Sequence, residues 1–442
     1  VPRTVGSSAP PASISGTAMG TAAAAAAVAV LAAALLVNGA RATMTYSGFS
    51  VSQELGSAAG VSAKFSAAVA VGRKAFFAPY NVEAVGVFDV DSSSLSMVDI
   101  SGQVPVNAGS LRLFRGIAAV GSKVVFPPYN AHAVGVFDVS NNMFSIVSTQ
   151  GHLDIEKKFA GATVVGDRVI FAPFNSDSIA IFDVSVGQLN LFDISAALTI
   201  DEKFVGATSI GNEVYFAPYR SQYIGIFDIE KQTFSLEDIS GQGSDDYRFA
   251  DVVAVSGKVV FCPGNADAVG VFDPADRSFS LVDVSHISGA AMKFGAAAVV
   301  GDLVVFAPYT TSRIGIFHTV SNTVSKVDSQ VSTQGRFLGA AAVGGTVVLA
   351  PFNLDVVGVL DTGIDVTSTT MTSSATSTST HTSTSTLTSL TSTPTSATTS
   401  FTPSTFTSAT STRTKLDSVD RQCLTVDAEK ARRLNLIPCQ TR

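Results

Sequence analysis

The chain has 442 residues, 46% of them apolar and 14% charged, with 28 Lys plus Arg against 35 Asp plus Glu and a formal net charge of -7. The apolar share suffices for a large core or one long repeat array, and the acidic balance speaks against nucleic acid as a general partner. Three cysteines, Cys262, Cys423 and Cys439, are too few for a disulfide-stapled fold and lack zinc-site grouping, and the histidines are scattered, so no metal and no cofactor is expected.

The first segment of note is apolar. From Ala22 to Val37 sixteen residues carry no charge, short for a membrane helix of about 20, although Met19, Gly20 and Thr21 extend it. Ala40, Arg41 and Ala42 then form an A-x-A site. Residues 1–42 read as a secretory signal cleaved near Ala42. A retained membrane anchor through residues 19–37 is the second reading and an Ala-rich helix or arm the third. The first two put the protein outside the cell, secreted or at the cell surface.

Residues 43–365 repeat themselves. The stretch "KFAGATVVGDRVIFAPFNSDSIAIFDVSVGQLNLFDIS" from Lys158 returns 45 residues later as "KFVGATSIGNEVYFAPYRSQYIGIFDIEKQTFSLEDIS". With the opening Phe as marker, copies start at Phe65, Phe114, Phe159, Phe204, Phe249, Phe294 and Phe337, and each has a proline fourteen residues on, from Pro79 to Pro351. Within a copy, four apolar runs of strand length, rich in Val, Ile and Phe, are separated by Gly-bearing or polar turns. No run has helical length and period. Each copy is therefore expected to be a four-stranded antiparallel meander. Such a sheet cannot bury both faces alone, and seven of them at a period near 45 predict an all-β, seven-bladed β-propeller. The seventh copy ends near Gly363 without a fourth strand, while "GFSVSQEL" (Gly48 to Leu55) precedes the first copy and matches "SFSLVDVS" at Ser278. The N-terminal strand is expected to complete the last blade and close the ring.

With strands a to d counted outward from the axis, strand a is made of Ala, Gly and Val, as crowding requires. A Gly in strand c, for example Gly86 and Gly225, is expected to let adjoining sheets approach. The Phe two residues on packs between blades, and the Asp after it caps the turn. Antiparallel order puts the start of a, the end of b, the start of c and the end of d on one face. There a basic residue precedes the marker in six copies, as Lys64, Lys158, Lys203, Arg248, Lys293 and Arg336, with Leu113 in the second. This series either pairs with acids of nearby loops, such as Asp177, Asp267 and Asp355, or forms a ring that draws an anion. The b–c connections, "PYNVEA" to "PFNLDV", supply Tyr80, Asn81, Tyr129, Asn130 and His132 as ligand-binding candidates. Arg220 and Tyr223 in the fourth blade, Gly264 and Cys262 in the fifth and Arg313 in the sixth make the face asymmetric, with Cys262 read as a buried small apolar residue.

Catalysis finds little support. Strand a carries almost no acid, the acidic residues recur as turn formers, and neither a paired-carboxylate nor a nucleophile–base pattern is present. Residues 366–414 are nearly all Ser and Thr and cannot build a core, which predicts a disordered spacer.

Residues 415–442 contain "CLTVDAEKARRLNLIPCQ". This pattern resembles the opening of a ricin-type trefoil lectin unit, and the resemblance implies a Cys423–Cys439 disulfide and a glycan-binding module truncated before its Q-x-W motif. The repeats resemble the WD40 and kelch propellers in architecture only, since neither the WD dipeptide nor the kelch Gly-Gly pair is present. Both likenesses imply a recognition protein. The expectation is a monomeric, non-catalytic platform for a protein or glycan. The alternatives are a propeller hydrolase or lyase acting on carbohydrate or peptide, and a purely structural surface protein.

Overall fold

The computed structural model describes residues 43–107, 111–149, 153–242, 246–331 and 334–365. The apolar segment 19–37, the Ser/Thr-rich tract and the Cys423–Cys439 pair lie outside them. Among the described residues no helix is long and apolar enough to cross a membrane.

All seven repeats fold as meanders. Strand β1 (Thr45–Ser50) and a one-turn helix α1 (Ser52–Leu55) precede blade 1, which consists of β2 (Phe65–Val71), β3 (Lys74–Pro79), β4 (Ala84–Asp89) and β5 (Ser94–Asp99). Blade 2 is β6 (Ala118–Val120), β7 (Lys123–Phe126), β8 (Ala133–Asp138) and β9 (Met143–Ser148), and blade 3 is β10 (Phe159–Val165), β11 (Arg168–Pro173), β12 (Ser178–Asp183) and β13 (Gln188–Asp193). Blade 4 is β14 (Phe204–Ile210), β15 (Glu213–Pro218), β16 (Tyr223–Asp228) and β17 (Thr233–Asp238), followed in blade 5 by β18 (Phe249–Val255), β19 (Lys258–Pro263), β20 (Ala268–Asp273) and β21 (Ser278–Asp283). Blade 6 is β22 (Phe294–Val300), β23 (Leu303–Pro308), β24 (Arg313–His318) and β25 (Thr323–Asp328). Blade 7 has β26 (Phe337–Val343), β27 (Thr346–Pro351) and β28 (Val356–Asp361), and its outer strand is β1. Every a–b turn carries a glycine with φ between 56° and 75°, a conformation that L side chains resist.

Closure occurs, with a register three residues from the expected one. Strand β1 runs antiparallel to β28 with Tyr46 opposite Leu360 and Phe49 opposite Val357. In blade 5 the equivalent partners are Phe279 opposite Phe272 and Val282 opposite Val269. Tyr46, and not Phe49, thus takes the place of Phe279. Residues Ser52 to Leu55 leave the sheet because Val51 and Leu55, four apart and both buried, dock as one helical turn.

The core lies between blades. One cluster joins Val348, Ala350 and Val357 of blade 7 to Phe65, Ala75, Phe77 and Phe88 of blade 1. The strand c Phe residues bridge blades as expected, with Phe137 5.7 Å from Phe76 and Phe227 4.9 Å from Phe192. The strand c glycines do something other than expected. A Cβ on Gly225 would lie 2.8 Å from the Phe204 ring of its own blade, so this glycine seats the marker Phe. Close approach of neighbouring sheets falls instead to inner-strand glycines: a Cβ on Gly116 would meet the Gly161 backbone at 2.6 Å, and one on Gly161 the Gly206 Cα at 2.7 Å. Strand-ending aspartates cap turns, as Asp89 does by accepting from the N–H groups of Asp91 and Ser92.

Candidate functional site

The residue before each marker Phe stitches its blade to the previous one. Its N–H donates to the carbonyl of the residue after the preceding blade's proline, from Lys64 to Phe352 at 2.8 Å through Leu113 to Tyr80 at 2.8 Å and onward to Arg336 and Tyr309 at 3.1 Å. The side chains follow the same route. Lys64, Lys158, Lys203 and Lys293 are fully buried, Arg248 and Arg336 nearly so. Lys64 reaches the Leu354 carbonyl and Asp355, Lys203 the Ile200 carbonyl and Asp177, and Lys293 the Ala266 carbonyl and Asp267. Where the loop offers Gln222 or Ser312 in place of Asp, the cation is arginine: Arg248 donates to the Ile239 carbonyl and Arg336 to those of Val331 and Thr311. A guanidinium has donors enough to satisfy itself on carbonyls, whereas an ammonium on a short reach gains from a carboxylate. Burial therefore removes the six cations from any ligand-facing ring and makes them inter-blade ties.

The loop asparagines are also turned inward. The residue two before the marker has positive φ in every blade, and its N–H is held in blades 1, 3, 4 and 6 by Asn353, Asn130, Asn175 and Asn265 of the preceding loop. Asn81 donates to the Ser62 carbonyl. His132 is buried and bonds Asn107. Asn81, Asn130 and His132 thus hold loops together.

What remains on this face is aromatic. The residue after the proline is Tyr80, Tyr129, Phe174, Tyr219, Gly264, Tyr309 and Phe352 in blade order. Ring contacts at 5.5–6.0 Å run Tyr309–Phe352–Tyr80–Tyr129–Phe174–Tyr219. Blade 5 alone has no aromatic residue at this position: it has Gly264, where a Cβ would meet the Tyr247 carbonyl at 2.6 Å, and the Tyr247 ring itself packs on Tyr219 at 4.7 Å. Tyr80, Tyr219, Tyr309 and Phe352 are half-buried. Burial pushes the Tyr80 hydroxyl up to about 12, so it stays protonated and can donate.

Two charged side chains lie in the channel beneath. Arg115 places its guanidinium carbon 5.6, 5.0 and 5.6 Å from the ring centroids of Tyr129, Phe174 and Tyr219, within cation–π range. No carboxylate among the described residues pairs with it; its electrostatic neighbours are the hydroxyls of Tyr129, Tyr219 and Tyr80. Asp251 accepts from its neighbour's N–H (Val252, 2.9 Å) and from Ala297 of blade 6 (3.0 Å). Burial lifts its carboxyl to about 6 against the pull of those two donors. Both residues sit where the inner strand slips register after the marker Phe, as it does in the other five blades too: Phe114 and Pro128 form an isolated bridge ahead of the short β6, and β18 is bulged between Phe249 and Asp251. Such irregularities redirect side chains. The cavity they line is about 230 Å³ and touches the inner strand of every blade. Among the described residues there is no metal-binding cluster.

No protein-family model matches this chain, and no curated protein is significantly similar to it. Among solved structures it is similar to streptogramin B lyase, at 15% identity and a TM-score of 0.55 over 72% of this chain and 97% of that one. It is also similar to a chain of the mitotic checkpoint complex (13%, 0.52, 68% and 88%) and to the RRP9 WD40 repeats (12%, 0.51, 67% and 94%). The likeness is one of fold. Propellers of this architecture thus include both an enzyme and WD40 proteins.

Of the residues singled out from the sequence, the propeller brings Tyr80 and Tyr129 together in the collar. Arg220 is exposed near its rim, stacked 5.7 Å from the Tyr247 ring and 3.8 Å from Asp246. Tyr223 and Arg313 open the third strands β16 and β24, outward of the collar, and Arg313 donates to the Ile287 carbonyl. Cys262 is buried, donates to the Ala296 carbonyl, and has its thiol pushed well up by burial, as an inert core residue does. Arg115 and Asp251 were missed. Aligned on the marker, the other blades carry Ser66, Ala160, Val205, Ala250, Gly295 and Leu338 at the position of Arg115, and only Gly or Ala at that of Asp251. That comparison is a signal the sequence holds.

Proposed function

We propose that this protein is a non-catalytic recognition platform that takes a protein or glycan ligand on the collar face. The observation that carries the reading is the collar of aromatic residues, of which Tyr80, Tyr219, Tyr309 and Phe352 are half-buried, beside an arginine with no carboxylate partner among the described residues. Aromatic faces and arginine are the groups that dominate recognition surfaces. The apolar segment and A-x-A site near the N-terminus support a secreted or surface location, which N-terminal sequencing of the mature protein would check. On a glycan array, the Tyr80→Ala/Tyr309→Ala variant should lose binding while Val320→Ser, at an exposed turn on the opposite face, keeps it. Binding that survives the double variant, or that vanishes only on deleting residues 415–442, would place recognition elsewhere.

One observation favours the rival reading, a hydrolase or lyase. Asp251 is a channel carboxyl lifted to about 6, a value suited to proton transfer. It lacks a second catalytic group among the described residues, and turnover of a glycan or peptide abolished by Asp251→Asn would establish that reading.

A further inference from the structure

Departures from the repeat concentrate in two blades. Blade 2 has Leu113 in place of the tying cation and Arg115 in the lumen, while blade 5 has Asp251 in the lumen and Gly264 in place of the collar aromatic. On a ring of seven, blades 2 and 5 are three steps apart, as far as two blades can be. The one collar position without an aromatic residue therefore belongs to the same blade as the lumenal acid, and the lumenal cation stands across from it.

Arg115 and Asp251 are not an ion pair, so each offers its charge to the cavity. The tyrosine and phenylalanine faces cover the guanidinium by cation–π contact and the Tyr129 and Tyr219 hydroxyls engage it, but none supplies an anionic oxygen. Its planar donors match a carboxylate. Asp251 has spare lone pairs beyond its two backbone bonds and accepts from hydroxyl donors. A phosphate or sulfate dianion would face that carboxylate across the lumen, which disfavours it; a monoanion bearing hydroxyls suits both groups. The cavity, at about 230 Å³, is smaller than the roughly 300–1,000 Å³ of sites for drug-sized ligands and has room for one sugar unit. Tyr80 and Tyr309, both half-buried in the collar, are the aromatic residues available to the apolar side of a pyranose.

We propose that the mouth of the channel binds a sugar acid, its carboxylate on Arg115, its hydroxyls on Asp251 and its ring against the collar. This rests on the platform reading of the same face and names the ligand class. The chemistry is shared by free hexuronic acids and glycans that end in one.

Titration calorimetry on the full chain with sodium D-glucuronate, a glucuronate-terminated disaccharide, D-glucose and sodium acetate tests it. One or both glucuronates should bind, and glucose and acetate should not; binding of the disaccharide alone identifies a glycan end as the source. Losing a charge-assisted pair should weaken binding by about 10–100-fold in Arg115→Ala. Arg115→Lys should weaken it too, because the planar fork is gone, and Asp251→Gly, which restores the residue of blades 2, 3, 4 and 7, should weaken it by several-fold, with unfolding midpoints confirming that all three fold. Equal binding of glucose or acetate, preference for a peptide C-terminus, or unchanged affinity in folded Arg115→Ala and Arg115→Lys would overturn the proposal. Glucose or neutral glycan held by the collar would do so while leaving the platform reading intact.

Discussion

Lys158 is the one buried lysine whose facing loop lacks an aspartate. The position that holds Asp355, Asp177 and Asp267 opposite Lys64, Lys203 and Lys293 holds His132 opposite Lys158. Its ammonium reaches the Asn130 carbonyl at only 3.5 Å. Burial outweighs the attraction of Asp154 and Glu156 and pushes it down to about 8, from 10.5. Between those values the unfolded chain binds the extra proton, so Lys158 adds a rise of stability with pH from about 8 to about 10.5 and costs stability below it. Lys158→Arg copies the solution of Arg248 and Arg336. It is expected to raise stability at pH 7 by about 0.5–1.5 kcal/mol and to flatten that pH rise. Thermal unfolding of both proteins at neutral and alkaline pH checks this; a variant no more stable at pH 7 would show that Lys158 is adequately satisfied.

At the level of elements, the closing strand marks how far pattern reading goes. The four-run period and the absent fourth run made the ring legible, because a missing strand leaves an open edge that something must fill. Register was not legible. Tyr46 and Phe49, three apart, point to opposite faces of β1, and either could lead the strand. The match to blade 5 used the distance to the next marker Phe, and α1 adds to that distance: Thr45 to Phe65 spans 20 positions where Ser278 to Phe294 spans 16. The observed register has a consequence. The Tyr46 hydroxyl is buried with no partner among the described residues, at a place where blades 2, 4 and 5 carry Phe144, Phe234 and Phe279. Tyr46→Phe should stabilise the protein by about 1 kcal/mol, read from denaturant unfolding. Destabilisation by that change would mean that the hydroxyl has a partner and that the register assigned to β1 is at fault.

Across the whole molecule, repetition carries the fold and its interruption carries the site. The basic series left both pairing with loop acids and a ring of charge open because sequence spacing gives the end of the strand but not whether the neighbouring blade covers it; Lys64 lies under the blade 7 loop, paired with Asp355. The collar was half-visible, as the aromatic after six of seven prolines. Arg115 and Asp251 stood in plain sight as letters, yet the lumenal place of the first inner-strand positions, which they share with the other blades, follows from ring closure and not from the pattern within one repeat. The measurement that bears most directly on this account is an experimental structure of the full chain with D-glucuronate. The expected result is the sugar in the channel mouth, its carboxylate about 2.7–2.9 Å from the Arg115 guanidinium and a hydroxyl on Asp251. Glucuronate on another surface, with the lumen between blades 2 and 5 left to solvent, would contradict it.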